Sequence, residues 1–187
     1  MNKLFSIIFL AFFFSCSNSI STKQTYVLPS DSLINDVIYS VIRLDSLNYK
    51  HSIAKLFTTI KVYPVPYWPT DSGPVPPPPP GGYYYHHLLE FLSPKNQIER
   101  NYDSIFLSYQ SERSENLFIA DSLFKKFANE SRNIYEFNVP VFSFDKKRVY
   151  VEYWDNCGPL CGLCYCDVLN WTTTGWKRID QYHCGIR

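Results

Sequence analysis

The chain has 187 residues, 18 basic and 17 acidic, with 18% aromatic residues and six cysteines. That length fits one domain, or one domain with an insertion. The near-neutral balance argues against a nucleic-acid partner, which needs a concentrated basic face to neutralise phosphates, and the basic run Lys146-Lys147-Arg148 reads as a solvated turn before a strand.

In MNKLFSIIFLAFFFSC, Lys3 is the only charge, Leu4 to Phe14 is an almost unbroken apolar run, and small Ser15 precedes Cys16. This is the layout of an export signal over residues 1–15. Its run of about eleven apolar residues falls short of the roughly 20 that a spanning helix needs. The residues F-F-S-C resemble the lipobox of bacterial lipoproteins, in which a small residue precedes a cysteine that becomes the lipidated first residue. The resemblance implies lipid attachment at Cys16 and a membrane partner held through that anchor. Ser17, rather than Asp, follows the cysteine, which by analogy with lipoprotein sorting favours the outer membrane, and no acidic run of the kind associated with surface display follows it, which favours the periplasmic side. Residues 16–30, rich in Ser and Asn at their start, read as a flexible tether.

From Ser30 the pattern SDSLINDVIYSVIRLDSL puts Leu33, Ile34, Val37, Ile38, Val41 and Ile42 on one helical face, with Ser30 or Asp31 as cap, and predicts a helix over 31–48. IAKLFTTIKVY, residues 53–63, is β-branched and aromatic and predicts a strand. Nine of the thirteen prolines then fall between Pro64 and Pro80. Five in succession favour an extended, water-exposed backbone, so residues 64–82 are expected to form an exposed Pro-rich insertion. His86 and His87 follow, but adjacent side chains diverge on any regular element, and no metal is expected there. Ser93-Pro94 is a helix opening, and Ile98, Tyr102, Ile105, Phe106 and Tyr109 supply the apolar face of a second helix over 94–112. Leu123, Phe124, Phe127 and Ala128 predict a third over 119–129. From Val139 the pattern turns to strands, FNVPVFSF, VYVEYWD, LCYCDVLNW and WKRIDQYH, joined by DKKR, the cysteine loop and TTTG. The expected fold is α+β: N-terminal and central helices packed on a C-terminal antiparallel meander, as one domain over 31–187.

The segment VPVFSFDKKRVYVEYWDNCGPLCG, followed by Gly175-Trp176-Lys177, resembles a recurrent segment of exported proteins and lipoproteins of Bacteroidetes-like bacteria. Phe142 to Phe144, Asp145, Val149-Tyr150-Val151, Cys157-Gly158 and Leu160-Cys161-Gly162 carry the match, while Cys164, Cys166 and Cys184 are extra. The resemblance implies an exported domain of this fold and lends no activity.

In an oxidising compartment clustered cysteines pair, and five remain beyond Cys16, so one is left over. Cys157 and Cys161 flank Gly158-Pro159-Leu160, a loop tight enough to bring their α-carbons within bridging range, roughly 4.4 to 6.8 Å. Cys164 and Cys166 share one side of a strand. With Trp171 opposite Trp176, a one-residue register change or bulge brings Cys184 across from Cys164, and a larger one across from Cys166. A metal site could instead gather Cys161, Cys164, Cys166, His183 and Cys184, but C-x3-C-x2-C-x-C is not a common zinc frame, and no metal or cofactor is expected. C-G-L-C, residues 161–164, has redox spacing, but it leads into a strand rather than a helix N-terminus. No serine nucleophile elbow, glycine-rich phosphate loop or H-E-x-x-H occurs. The expected function is that of a membrane-anchored periplasmic lipoprotein, non-enzymatic, binding or scaffolding an envelope protein partner. The alternative is a thiol redox or metal-binding protein built on the cysteine hairpin.

Overall fold

The computed structural model describes residues 26–45, 52–53, 60–64, 73–79, 82–93, 97–112, 134–158 and 161–186. The export signal, Cys16 and the helix expected over 119–129 lie outside them. The first helix, α1 (Asp31–Leu44), starts where the Ser30 hydroxyl accepts a bond from the Leu33 amide at 3.3 Å. Asp31 in its first turn and Arg43 in its last both complement the helix dipole. Its stripe Ile34, Val37, Ile38, Val41 and Ile42 is buried.

That stripe packs on a six-stranded sheet formed by β1 (Ser52–Ile53), β4 (Ile134–Phe137), β5 (Val141–Phe142), β6 (Arg148–Gly158), β7 (Cys161–Thr172) and β8 (Gly175–Ile186). From β4 onward every pairing is antiparallel, and β1 adds to β4 in parallel. The fold is α+β. Of the predicted strand over 53–63, the described strand residues fall in two different sheets, as β1 and β2 (Lys61–Tyr63), the latter pairing in parallel with β3 (Gly82–Tyr84), and 54–59 lie outside the described residues. The β7–β8 hairpin turns at Thr173-Thr174, and Gly175 takes a φ of 108°, a left-handed geometry that glycine adopts without steric cost.

Both faces of the sheet are covered. Val149, Val151, Tyr153 and Leu169 face α1, whereas Tyr150, Cys164, Cys166 and Val168 face the other way, toward α2 (Tyr85–Leu92) with its buried Leu88, Leu89 and Leu92. Double coverage explains why β6 is buried without alternation over Val149 to Tyr153. Sequence reading assigned no helix to 85–92, and the reason is physical: eight residues are too few for a period, and Tyr84 at its cap offers no side-chain bond. The described part of the Pro-rich segment, 73–79, is exposed or half-buried, and the Tyr84 hydroxyl ties it down by donating to the Pro76 carbonyl at 2.8 Å. At the other end of the expected tether, Tyr26 already belongs to the domain, stacking on Tyr109 at 4.9 Å.

The second predicted helix is α3 (Gln97–Ser111), rotated from the expected face. Ile98, Tyr102, Ile105 and Tyr109 are exposed to between 38% and 67%, while Asp103, Phe106, Leu107 and Gln110 are buried. The polar pair explains the rotation, because edge strand β5 needs partners. Gln110 accepts from the Phe142 amide at 2.9 Å and donates to its carbonyl at 2.8 Å, and Asp103 accepts from the Phe144 amide and the Ser93 hydroxyl. Two unsatisfied buried backbone groups would cost about 1–3 kcal/mol each, more than apolar contacts of an exposed tyrosine return.

On the opposite face the end of α1 is locked to β8. Arg178 donates to Asp167 at 2.7 Å and to Asp45, which also accepts from Tyr153 at 2.7 Å and Gln181 at 3.2 Å. Asp167 is fully buried, one of its carboxylate oxygens has no partner, and burial pushes its carboxyl up to about 6 against the opposing pull of Arg178. In the unfolded chain an aspartate titrates near 3.9. Between these values the folded protein therefore holds the extra proton, so the contribution of Asp167 to stability is fully present below about pH 4 and is lost as pH rises through about 6, by at most about 1.4 kcal/mol per pH unit. Urea midpoints measured across that range should show this decline, and Asp167→Asn should flatten it to the smaller share left by Asp103, whose carboxyl burial also raises. A slope unchanged in Asp167→Asn would contradict the assignment.

Candidate functional site

The cysteines come together through the register of the last hairpin. Trp171 pairs with Trp176, the register from which the cysteine pairing was counted, but β8 carries two extra residues. Leu169 pairs with Arg178 and Val168 with Asp180, leaving Ile179 unmatched; Tyr165 pairs with His183 and Cys164 with Gly185, leaving Cys184 unmatched. Such bulges insert one residue and reverse the faces beyond them. The slip at Ile179 brings Cys184 alongside Cys164 rather than Leu163. The structure joins these two, with α-carbons 5.0 Å apart, and joins Cys157 to Cys161 at 5.2 Å. Of the two partners that the sequence left open for Cys184, the fold selects Cys164, and Cys166 is the free thiol.

Cys166 is 3% exposed, on the α2 side of β7, among hydroxyls. Tyr150 Oη lies 3.0 Å from both Cys166 Sγ and Tyr83 Oη and, with one proton, donates to one of them at a time. Tyr83 donates to Glu152 Oε2, and Asn138 donates to Glu152 Oε1 at 2.7 Å. When Tyr150 points at Tyr83, a series of hydroxyls connects the thiol to the Glu152 carboxylate. Burial pushes the Cys166 thiol up to about 12, against the opposing effect of the Tyr150 hydrogen bond. Burial likewise raises Tyr83 and Tyr150 far above the ordinary tyrosine range. The proton therefore stays on sulfur, the reverse of an activated nucleophile.

One carboxylate oxygen of Glu152 and the sulfurs of Cys164, Cys166 and Cys184 all lie within 4.8 Å of one another. Of the ligand set weighed from sequence, three sulfurs converge. Cys161 is bridged to Cys157 instead, and His183 packs on Tyr165, a residue of the face toward α1. Sequence reading missed Glu152, Tyr83, Tyr150 and Asn138. Glu152 had a signal: it is a lone carboxylate inside VYVEYW, two residues from Tyr150 and thus on its side of the strand. Tyr83 had none, since β3 brings it in from 69 residues away.

At the other end of the sheet an open concavity of about 500 Å³ is lined by Tyr102, Asp145, Lys147, Arg148, Asn170 and Trp171. Arg148 is fixed there, donating to Asn170 Oδ1 at 2.8 Å and to the Phe91 carbonyl at 3.3 Å. Trp171 is 53% exposed and packs edge-on against Trp176.

Comparison with family models, curated proteins and solved structures finds no match. No helix among the described residues is long and apolar enough to cross a membrane.

Cys166 should resist alkylation in the folded chain. At about pH 8 its reaction with iodoacetamide, followed by mass spectrometry, should be slower than in the unfolded chain by roughly a thousandfold, the ratio of thiolate fractions for this shift. A rate within about tenfold of the unfolded chain's would contradict the protected geometry.

Proposed function

We propose that the protein is a lipid-anchored component of the bacterial cell envelope, held through Cys16 on the outer membrane and facing the periplasm, whose α+β domain binds or scaffolds an envelope protein partner without enzymatic activity. The observation that carries this reading is the state of the cysteines. Four of the five beyond Cys16 are closed in two bridges, an arrangement that persists in oxidising compartments. Loop closure across the longer bridge contributes roughly 3 kcal/mol and across the shorter roughly 2 kcal/mol. That is a sizeable gain for a domain whose edge strands β1 and β5 are only two residues long. The non-enzymatic part rests on the buried, protonated state of the remaining thiol.

The concavity around Trp171 suits a protein surface. It offers two exposed aromatic rings, Tyr102 and Trp171, beside the fixed guanidinium of Arg148, and aromatic and arginine side chains dominate the energetics of protein interfaces. Cys16→Ala should move the protein out of the membrane fraction and block its processing; a processed Cys16→Ala protein still in the membrane would overturn the anchor. In the same cells, a photo-crosslinking residue in place of Trp171 should give a discrete adduct that one in place of Tyr39 on α1 does not, and identical patterns would overturn the binding face.

A further inference from the structure

We infer that Cys164, Cys166, Cys184 and Glu152 form a redox-gated site for a thiophilic divalent cation of the zinc class, closed while Cys164 and Cys184 are bridged and opened by their reduction. The leading reading of the sequence expects no metal and its alternative is a redox or metal-binding cysteine hairpin; the inference stands apart from both the anchor at Cys16 and the concavity at Trp171. Its basis is the convergence of three sulfurs and a carboxylate oxygen within 4.8 Å of one another. A tetrahedral ion with bonds of about 2.3 Å to sulfur spaces its ligands roughly 3.8 Å apart. Once the bridge is reduced, the sulfurs of Cys164 and Cys184 must part from a bond length of about 2 Å to this spacing, and the remaining ligand atoms need draw in by at most about 1 Å. Three thiolates and one carboxylate suit zinc in charge and softness, and the soft sulfurs disfavour magnesium and calcium.

The surroundings are built as a ligand sphere is. Glu152 is 6% exposed, with Asn138 donating to one carboxylate oxygen and Tyr83 to the other, while Tyr150 is poised to donate to Cys166. Such outer hydrogen bonds orient ligands and offset their negative charge. Burial alone leaves the Cys166 thiol protonated, and a bound cation supplies the positive charge that would stabilise its thiolate.

The gate follows from exposure. Cys164 and Cys166 are buried, whereas Cys184 is exposed at the bulge, so an attacking thiolate meets the bridge at Cys184. A dithiol reductant attacks the sulfur of Cys184; the bond to Cys164 breaks and its electron pair leaves on the Cys164 sulfur, which takes a proton. The second thiol of the reductant then displaces Cys184 as a thiol, and the reductant leaves as its own disulfide. Binding of the cation releases three protons, one from each cysteine.

The test uses the full chain in detergent carrying Cys16→Ser, Cys157→Ser and Cys161→Ser, so that the three cysteines of the site are the only thiols. After reduction by a phosphine, titration with Co2+ should give one equivalent per chain with a sulfur-to-cobalt charge-transfer band, and the unreduced protein should give none. Cys166→Ser, checked for fold by its ability to re-form the Cys164–Cys184 bridge, should weaken binding at least about tenfold, as should Glu152→Gln. The inference is overturned by a reduced, folded chain without the band, by equal binding in the oxidised chain, or by Cys166→Ser binding unchanged. A reduced chain that unfolds and is not refolded by the metal overturns it as well.

Discussion

One extra residue in the last strand decides how this domain is tied together. At Ile179 the β7–β8 ladder slips by a position, and because strand side chains alternate, the residues from there to the second bulge at Cys184 change face. Gln181 thereby reaches Asp45 at the end of α1, and Tyr182 lies against Phe91 of α2 with ring centroids 5.3 Å apart. The same slip places Cys184 beside Cys164. Without it these side chains would point to the opposite layers.

The two faces of the sheet consequently hold different chemistry. Toward α1 lies the ion-pair lock, in which two carboxylates share the Arg178 guanidinium. A buried pair of this kind contributes little net stability, since its attraction mainly offsets desolvation, but it penalises any register that would leave Asp167 without its partner. Toward α2 lies the thiol cluster, where burial suppresses reactivity instead of creating it. A buried thiol beside a bridge, with a carboxylate at hand, is chemically quiet while the bridge is intact and becomes a three-sulfur set once it opens.

The parts of this architecture that were legible in sequence are those specified locally. The α1 stripe with its Ser30 cap, and the Trp171–Trp176 hairpin around TTTG, declare themselves within twenty residues. The helix α2 did not, because a single face of Leu88, Leu89 and Leu92 after a run of tyrosines and histidines carries no period. The face of α3 was misread for a different reason. Asp103 and Gln110 look like solvent-side residues, yet they are buried to satisfy the backbone of Phe144, just beyond β5, and of Phe142 within it, a requirement visible only once the strand is in place. The cysteines of the candidate site were legible, and their pairing was narrowed to two choices. Tyr83 was not, because β3 delivers it from 69 residues away, and Asn138 was not, because it meets Glu152 only once β4 has paired with β6.

The slip at Ile179 commits Cys184 to Cys164 and leaves Cys166 reduced. Differential alkylation tests it most directly: thiols are blocked with one label under denaturing conditions, the bridges are then reduced, and the released thiols receive a second label before fragment mass spectrometry. The first label should fall on Cys166 and the second on Cys157, Cys161, Cys164 and Cys184. The first label on Cys164, with the second on Cys166, would contradict it.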